Sequence, residues 1–169
     1  MAKNFESDIK KVGDYLNVWY RRLRDVNHYK GSQSPFDFLF WNGVVLVGIE
    51  CKEISKNSSA KSLSLDEIKD HQINGLKLID SFNNSLGIYL VNFRNIEPPE
   101  YITDKRVGRG RAYILKPEKM LEGKNKFEGK RKSIPLKWFQ EECSELKYLE
   151  IDKGYSWDIT DILNRELGW

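Results

Sequence analysis

Two short segments of this 169-residue chain could do chemistry together: Ser34-Pro35-Phe36-Asp37 and Ile49-Glu50-Cys51-Lys52. Phe36 to Trp41 and Val44 to Glu53 are rich in β-branched and aromatic residues, and they flank Asn42-Gly43, a dipeptide suited to a two-residue hairpin turn. The two runs are expected to pair antiparallel, which brings two carboxylates and an amine onto adjacent strands. Side chains alternate along a strand, so Glu50 and Lys52 share one face while Ile49 and Cys51 take the other. Mg²⁺ accepts carboxylate oxygens and keeps several waters, and a nearby ammonium can orient an attacking water or stabilise charge building on a phosphate. Asp37, Glu50 and Lys52 therefore suit metal-dependent hydrolysis of a phosphodiester. As a bare pattern the spacing is weak, because the chain holds 25 acidic and 28 basic residues. A surface ion pair between Glu50 and Lys52, worth about 0.2–1 kcal/mol, fits the same residues.

The elements around these strands must position them. Ser64-Leu65-Asp66-Glu67 reads as a capping box that opens a helix to about Phe82. Ile68, Gln72, Leu76 and Ile79 recur at helical spacing and form the stripe that should face the sheet. Gln72 is the polar member of that stripe. A buried amide is costly without partners, so Gln72 either bridges helix and sheet as a satisfied core residue or orients a metal ligand or its water. His71, a third of a turn away, is expected to be partly exposed. A first helix from about Asn4 to Arg24 would send Ile9, Val12, Leu16 and Leu23 to the core. Glu6 lies at its edge, able to reach the sheet or simply to complement the helix dipole. Trp19, Tyr20, Arg21, Arg22 and Arg24 would then sit near the helix end, where they can stack on bases, line a dimer interface or pack into the core.

The remainder completes an α/β domain, expected to be one unit over residues 1–169. Leu86 to Phe93 reads as a buried central strand and Arg111 to Leu115 as another. Pro117 is expected to open a helix through about Leu121, Pro135 another through about Cys143, and Trp157 to Thr160 leads a C-terminal helix to Leu167. Lys56 to Ser62, rich in Ser, Asn and Lys, is expected to be a flexible loop able to close over substrate.

Net charge is +3, but its distribution is uneven. Asp104 to Lys132 holds eleven Lys/Arg against four Asp/Glu, a local +7 that leaves the rest of the chain at −4. Lys105, Arg106, Arg109 and Arg111 are interspersed with Gly108 and Gly110, which would let the backbone approach phosphates. Lys124, Lys126, Lys130, Arg131 and Lys132 form a second cluster. Each cluster could be a solvated loop; the two together, in a chain with this acidic pair, favour a DNA-binding surface. Cys51 and Cys143 are isolated, without zinc-ligand spacing, and are expected to be reduced thiols. Met1 to Lys10 has no apolar signal segment and Val44 to Ile49 is too short to span a bilayer, so a soluble, cytoplasmic protein without membrane contacts is expected.

Taken in order, the Asp37 strand and hairpin, Ile49-Glu50-Cys51-Lys52-Glu53, Asp70-His71-Gln72-Ile73, Ser85 to Phe93, Lys130 to Leu136 and Leu146 to Leu149 resemble the PD-(D/E)xK nuclease superfamily. Within it they are similar to the RecU-type Holliday junction resolvases of Gram-positive bacteria and their phages. The resemblance implies a restriction-endonuclease-like fold, a central mixed β-sheet flanked by helices. It also implies Asp37 and Glu50 as Mg²⁺ ligands, with Mn²⁺ able to substitute, Lys52 as catalytic lysine, Gln72 in support and Glu6 nearby. Its expected partners are branched DNA and a second copy of the chain, and its activity is cleavage of four-way junctions in recombination and repair. RecU-type proteins carry a long stalk ahead of the Asp strand, and the interval from about Asn27 to Ser34 is too short for one. A repair or restriction-like nuclease on flap or duplex DNA, and a noncatalytic DNA-binding accessory protein, are the competing readings.

Overall fold

A computed structural model of the protein describes residues 4–23, 33–102, 110–151 and 154–167. Its centre is a six-stranded sheet of order β1-β2-β3-β5-β6-β8, built from β1 (Trp19–Arg22), β2 (Phe38–Trp41), β3 (Leu46–Ile54), β5 (Ser85–Phe93), β6 (Arg111–Leu115) and β8 (Ser144–Glu145). Only β3 and β5 run parallel; every other neighbouring pair is antiparallel, so the sheet is mixed. The crossover between the two parallel strands passes through the short β4 (Ser62–Ser64), one 3₁₀ turn (Leu65–Glu67) and α2 (Asp70–Asp80). After β6 come α3 (Pro117–Phe127), β7 (Ser133–Pro135) and α4 (Leu136–Glu142). A second hairpin, β9 (Lys147–Ile151) with β10 (Gly154–Asp158), precedes α5 (Thr160–Leu167).

Residue alternation sorts these elements onto two faces. One face of the sheet buries Phe38, Phe40, Val47, Ile49, Leu86, Ile88 and Leu90 against Phe5, Ile9 and Val12 of α1 (Asn4–Tyr15), Trp157 of β10 and Leu163 of α5. The other buries Tyr89, Val91, Phe93 and Tyr113 against Ile73 and Leu76 of α2, Met120 of α3, and Trp138 and Phe139 of α4. β5 is buried at every position, as expected of a central parallel strand covered on both sides.

The first helix is shorter than its sequence suggests. It ends at Tyr15, Asn17 takes a left-handed conformation with φ of 52°, and the chain turns into β1. Trp19, Tyr20, Arg21 and Arg22 are therefore strand residues paired with Trp41, Phe40, Leu39 and Phe38. Long-range pairing outweighs the helix propensity of the arginines here, because Val18-Trp19-Tyr20 suits a pleated, half-buried surface. The Asn42-Gly43 hairpin also differs. Trp41 pairs with Leu46, so the loop holds four residues, closed by Asn42 Oδ1 accepting from the amides of Val44 (3.0 Å) and Val45 (2.8 Å) with Gly43 at φ 98°.

One helix start and one helix end move as well. Ser64 caps only the 3₁₀ turn, accepting from the Asp66 amide at 3.3 Å, and α2 begins six residues later with Lys69 at its N-cap position. α3 extends six residues beyond the expected Leu121, which puts Lys124 and Lys126 on a helix rather than a loop. The Lys56 to Ser62 segment is tied down: Asn95 Nδ2 donates to the carbonyls of Ser58 (3.0 Å) and Ala60 (2.8 Å). Cys51 and Cys143 are free thiols. Among the described residues no helix is long and apolar enough to cross a membrane.

α2 lies directly on the parallel pair because Gly87 has no side chain. A Cβ there would stand 2.1 Å from the Leu76 carbonyl oxygen, a contact no side-chain movement relieves. Gly87→Ala is expected to force α2 off the sheet and to cost about 2–3 kcal/mol, the upper part of the overpacking range, read as a lower urea midpoint at unchanged slope.

Candidate active site

β3 carries the site because its C-terminal half emerges from the core next to the start of α2. Glu50 pairs with Tyr89 and Lys52 with Val91, and both project to the α2 face. Asp37 lies just before β2; its amide donates to the Ile49 carbonyl at 3.0 Å, and its Oδ2 accepts from the Cys51 amide at 2.8 Å. This clamp brings Asp37 into hydrogen-bonding range of the Glu50 carboxylate.

Lys52, Gln72 and Glu50 close a ring of hydrogen bonds. Lys52 Nζ stands 2.8 Å from Glu50 Oε1 and 2.9 Å from Gln72 Oε1, while Gln72 Nε2 donates to Glu50 Oε1 at 2.6 Å. The amide is thereby oriented by charge: its oxygen meets the ammonium and its NH₂ meets the carboxylate. Gln72 reaches the site from the first turns of α2, half-buried, between the buried Ile68 and Leu76. The ion pair is almost fully enclosed, with Glu50 3% and Lys52 10% exposed at the side chain. This is not the exposed surface pair that the same two residues could have formed.

Burial sets the protonation of the acids. Glu50 is pushed up to about 8, first by desolvation and then by the neighbouring Asp37 carboxylate, with Lys52 opposing. Asp37 is also raised by desolvation, against the Cys51 amide, Lys52 and Arg22, which hold it down. Without a cation, desolvation and the mutual repulsion of the two carboxylates favour a proton shared by the pair. Glu50 Oε2 is buried and has no hydrogen-bond partner.

An orphaned carboxylate oxygen facing a second carboxylate fits a hard divalent cation, which would take both in place of the proton. Among the described residues no three acidic, His or Cys side chains cluster as a complete ligand cage. Two carboxylates are the usual protein share for Mg²⁺, which keeps the rest of its shell as water. Asp37 and Glu50 would hold it.

A cleft of about 420 Å³ opens beside the ring, lined by Phe5, Glu6, Cys51, Lys52, Glu53, Asp66, Glu67, Lys69 and Gln72. Lys52 and Gln72 are among its lining residues and hydrogen-bond or pair with Glu50, which does not itself line it. Glu6 reaches this cleft from α1 and is paired with Arg22 of β1. His71 is half-buried.

Glu53 escaped sequence reasoning because its parity places it on the face opposite Glu50. Its Oε2 caps α1 by accepting from the Phe5 amide at 2.9 Å and stands 3.6 Å from Arg94 Nη1. The available signal was an acidic residue inside an otherwise apolar strand face.

Of the basic residues, Lys130, Arg131 and Lys132 are exposed in the turn between α3 and β7. The β4–β7 pairing brings that turn to the cleft, since the Lys132 carbonyl accepts from the Leu65 amide at 3.0 Å, next to the Asp66 and Glu67 wall. Arg21 is exposed on β1. Arg111 is engaged within the protein, through the Glu97 carbonyl at 3.2 Å and Glu145 at 3.5 Å. Lys124 pairs with Asp70 at 2.7 Å. Arg24, Lys105, Arg106 and Arg109 lie outside the described residues.

No family model matches the chain, and no curated protein matches it. Among solved structures it is similar to Hjc, a Holliday junction resolvase from the archaeal hyperthermophile Archaeoglobus fulgidus. That similarity has 16% sequence identity, covers 69% of this chain and 78% of that one, and has a TM-score of 0.39. It assigns no residue of the site.

The raised acid has a thermodynamic consequence. A carboxyl whose folded pKa lies above its unfolded value stabilises the fold at low pH, and that contribution is lost as pH rises from about 4.5 towards about 8. In EDTA, the melting temperature should fall across this window by several degrees, and Glu50→Gln, which cannot ionise, should flatten the decline. Identical pH profiles for the two proteins would show that Glu50 is not the group that titrates.

Proposed function

We propose that the protein is a divalent-metal-dependent endodeoxyribonuclease acting on branched DNA, with a four-way junction as its preferred substrate and a homodimer as its working form. The observation that carries the reading is the buried constellation itself: two facing carboxylates, one with an orphaned oxygen, and a lysine locked to that carboxylate by Gln72. A structural ion pair needs no second acid pressed against it. A Mg²⁺ or Mn²⁺ ion supplies Lewis acidity and charge neutralisation at the phosphate.

The chain's own residues do the rest. Asp37 and Glu50 provide the anionic oxygens, Lys52 presents a positive charge at the cleft wall where negative charge develops on the phosphate, and Gln72 fixes the direction of both. Glu6 lines the same cleft. The restriction-endonuclease-like architecture belongs to this reading: it rests on the sequence resemblance together with the mixed sheet and the position of α2. Lys130, Arg131 and Lys132, at the rim, would carry the DNA backbone towards the site, with Arg21 on β1 as a further contact.

Asp37→Asn and Glu50→Gln should each abolish Mg²⁺-dependent cleavage while leaving DNA binding in EDTA within about twofold, because each removes ligand charge and little else. Lys52→Ala should lose at least about 10²-fold in rate, the scale of one transition-state electrostatic contact. The assay offers four-way junction, flap and linear duplex side by side with Mg²⁺ or EDTA. Binding without cleavage in every case identifies the noncatalytic accessory protein, and equal cutting of duplex and junction identifies the broader nuclease. Two symmetric incisions require two sites related by a two-fold axis, so sedimentation should show a dimer, at least on junction DNA.

If the basic rim contacts phosphates, log affinity should fall with log salt by roughly 0.9 per duplex phosphate engaged. Arg131→Ala should lessen the slope by about 1, and a variant with the wild-type slope would remove that turn from the DNA path.

A further inference from the structure

Tyr89 is the neighbour of Glu50 on the adjacent strand. The two are register partners across the parallel β3–β5 pair, where strands lie about 4.8 Å apart, and both project to the α2 face. Tyr89 is 0% exposed and its hydroxyl has no hydrogen-bond partner; Glu50 Oε2, on the next strand, is buried and lacks one too. A phenylalanine would fill the same place among Val91, Phe93 and Tyr113 without burying an unsatisfied donor, which costs free energy. Tyr113 on β6 also has an unpartnered hydroxyl, so what sets Tyr89 apart is its register with Glu50.

Glu50 Oε1 already accepts from Lys52 and Gln72. Apart from the Asp37 carboxyl, Oε2 has no hydrogen-bonding neighbour, which leaves one of its two lone pairs open. We propose that Tyr89 is a positioning residue: its hydroxyl donates, through one ordered water, to Glu50 Oε2 and fixes the carboxylate so that the second lone pair faces Asp37 and the cation between them. A water bridging two buried polar groups is a common way to satisfy both. Tyr89 does not line the cleft and so does not touch substrate; it acts through Glu50. The proposal deepens the nuclease reading and rests on it.

The test is Tyr89→Phe, with Tyr113→Phe as the matched control: Tyr113 is 1% exposed in the same apolar cluster but sits on β6, beyond β5 from Glu50. Mn²⁺ binding is measured by calorimetry without DNA, alongside cleavage at graded Mn²⁺ and melting in EDTA. Tyr89→Phe is expected to bind Mn²⁺ about 10-fold more weakly, to need correspondingly more Mn²⁺ for half-maximal cleavage, and to melt no lower than the parent in EDTA. Tyr113→Phe should match the parent in Mn²⁺ affinity. Parental Mn²⁺ affinity in Tyr89→Phe overturns the proposal, as does an equal loss in both variants, which would report core packing alone. The underlying reading fails separately: in that case Glu50→Gln binds Mn²⁺ and cleaves like the parent.

Discussion

The site depends on a single constraint, the burial of the Glu50 carboxylate. Moving a carboxylate out of water is costly, and the structure offsets that cost in three ways: a retained proton, the Lys52 ammonium and the Gln72 amide. Each offset places a demand on a different part of the chain. Lys52 must share a strand face with Glu50, which period-two alternation guarantees. Asp37 must lie level with Cys51, which requires the β2–β3 register seen here, since a slip of one residue would send every side chain to the opposite face. Gln72 must come down onto both, which requires α2 to lie close on the parallel pair, and Gly87 permits that approach.

A second polar network lies back to back with the first, on the other face of the same strand ends. Glu53 caps α1 and stands near Arg94, while Glu6 of α1 pairs with Arg22 of β1. Asn92, the register partner of Glu53, is completely buried with neither polar atom hydrogen-bonded. These groups attach α1 to the sheet and hold Glu6 at the cleft. The C-terminal ends of β3 and β5 thus carry polar side chains on both faces, a place where ordinary core patterning is set aside and function commonly resides.

The basic residues divide by what already holds them. Arg111, Lys124 and Arg22 are committed to partners inside the protein, so their charge serves packing of neighbouring elements. Lys130, Arg131 and Lys132 remain exposed at a turn whose backbone is pinned beside the cleft. A charge run in sequence does not distinguish these cases, because pairing depends on which acids the fold brings near.

Much of the site was legible before any coordinates. Alternation alone put Glu50 and Lys52 on one face, and a lone glutamine in an apolar helical stripe announced that something polar lay beneath it. β-branched and aromatic runs located β3, β5 and β6 nearly to the residue, since these are local properties of a chain and survive folding. What the chain could not show from local pattern was anything decided by partners far along it. Trp19 to Arg22 left the helix because β2 was there to pair with, the hairpin loop widened to satisfy Asn42, and Ser64 capped a 3₁₀ turn because β4 had already engaged β7. Tyr89 drew no notice as a core aromatic, and became informative only when the parallel register made it the strand neighbour of Glu50, each with a buried polar atom that lacks a hydrogen bond. Residue types and periodicity thus determined which groups could act; the long-range pairing of strands, whose energy no local window contains, decided which of them meet.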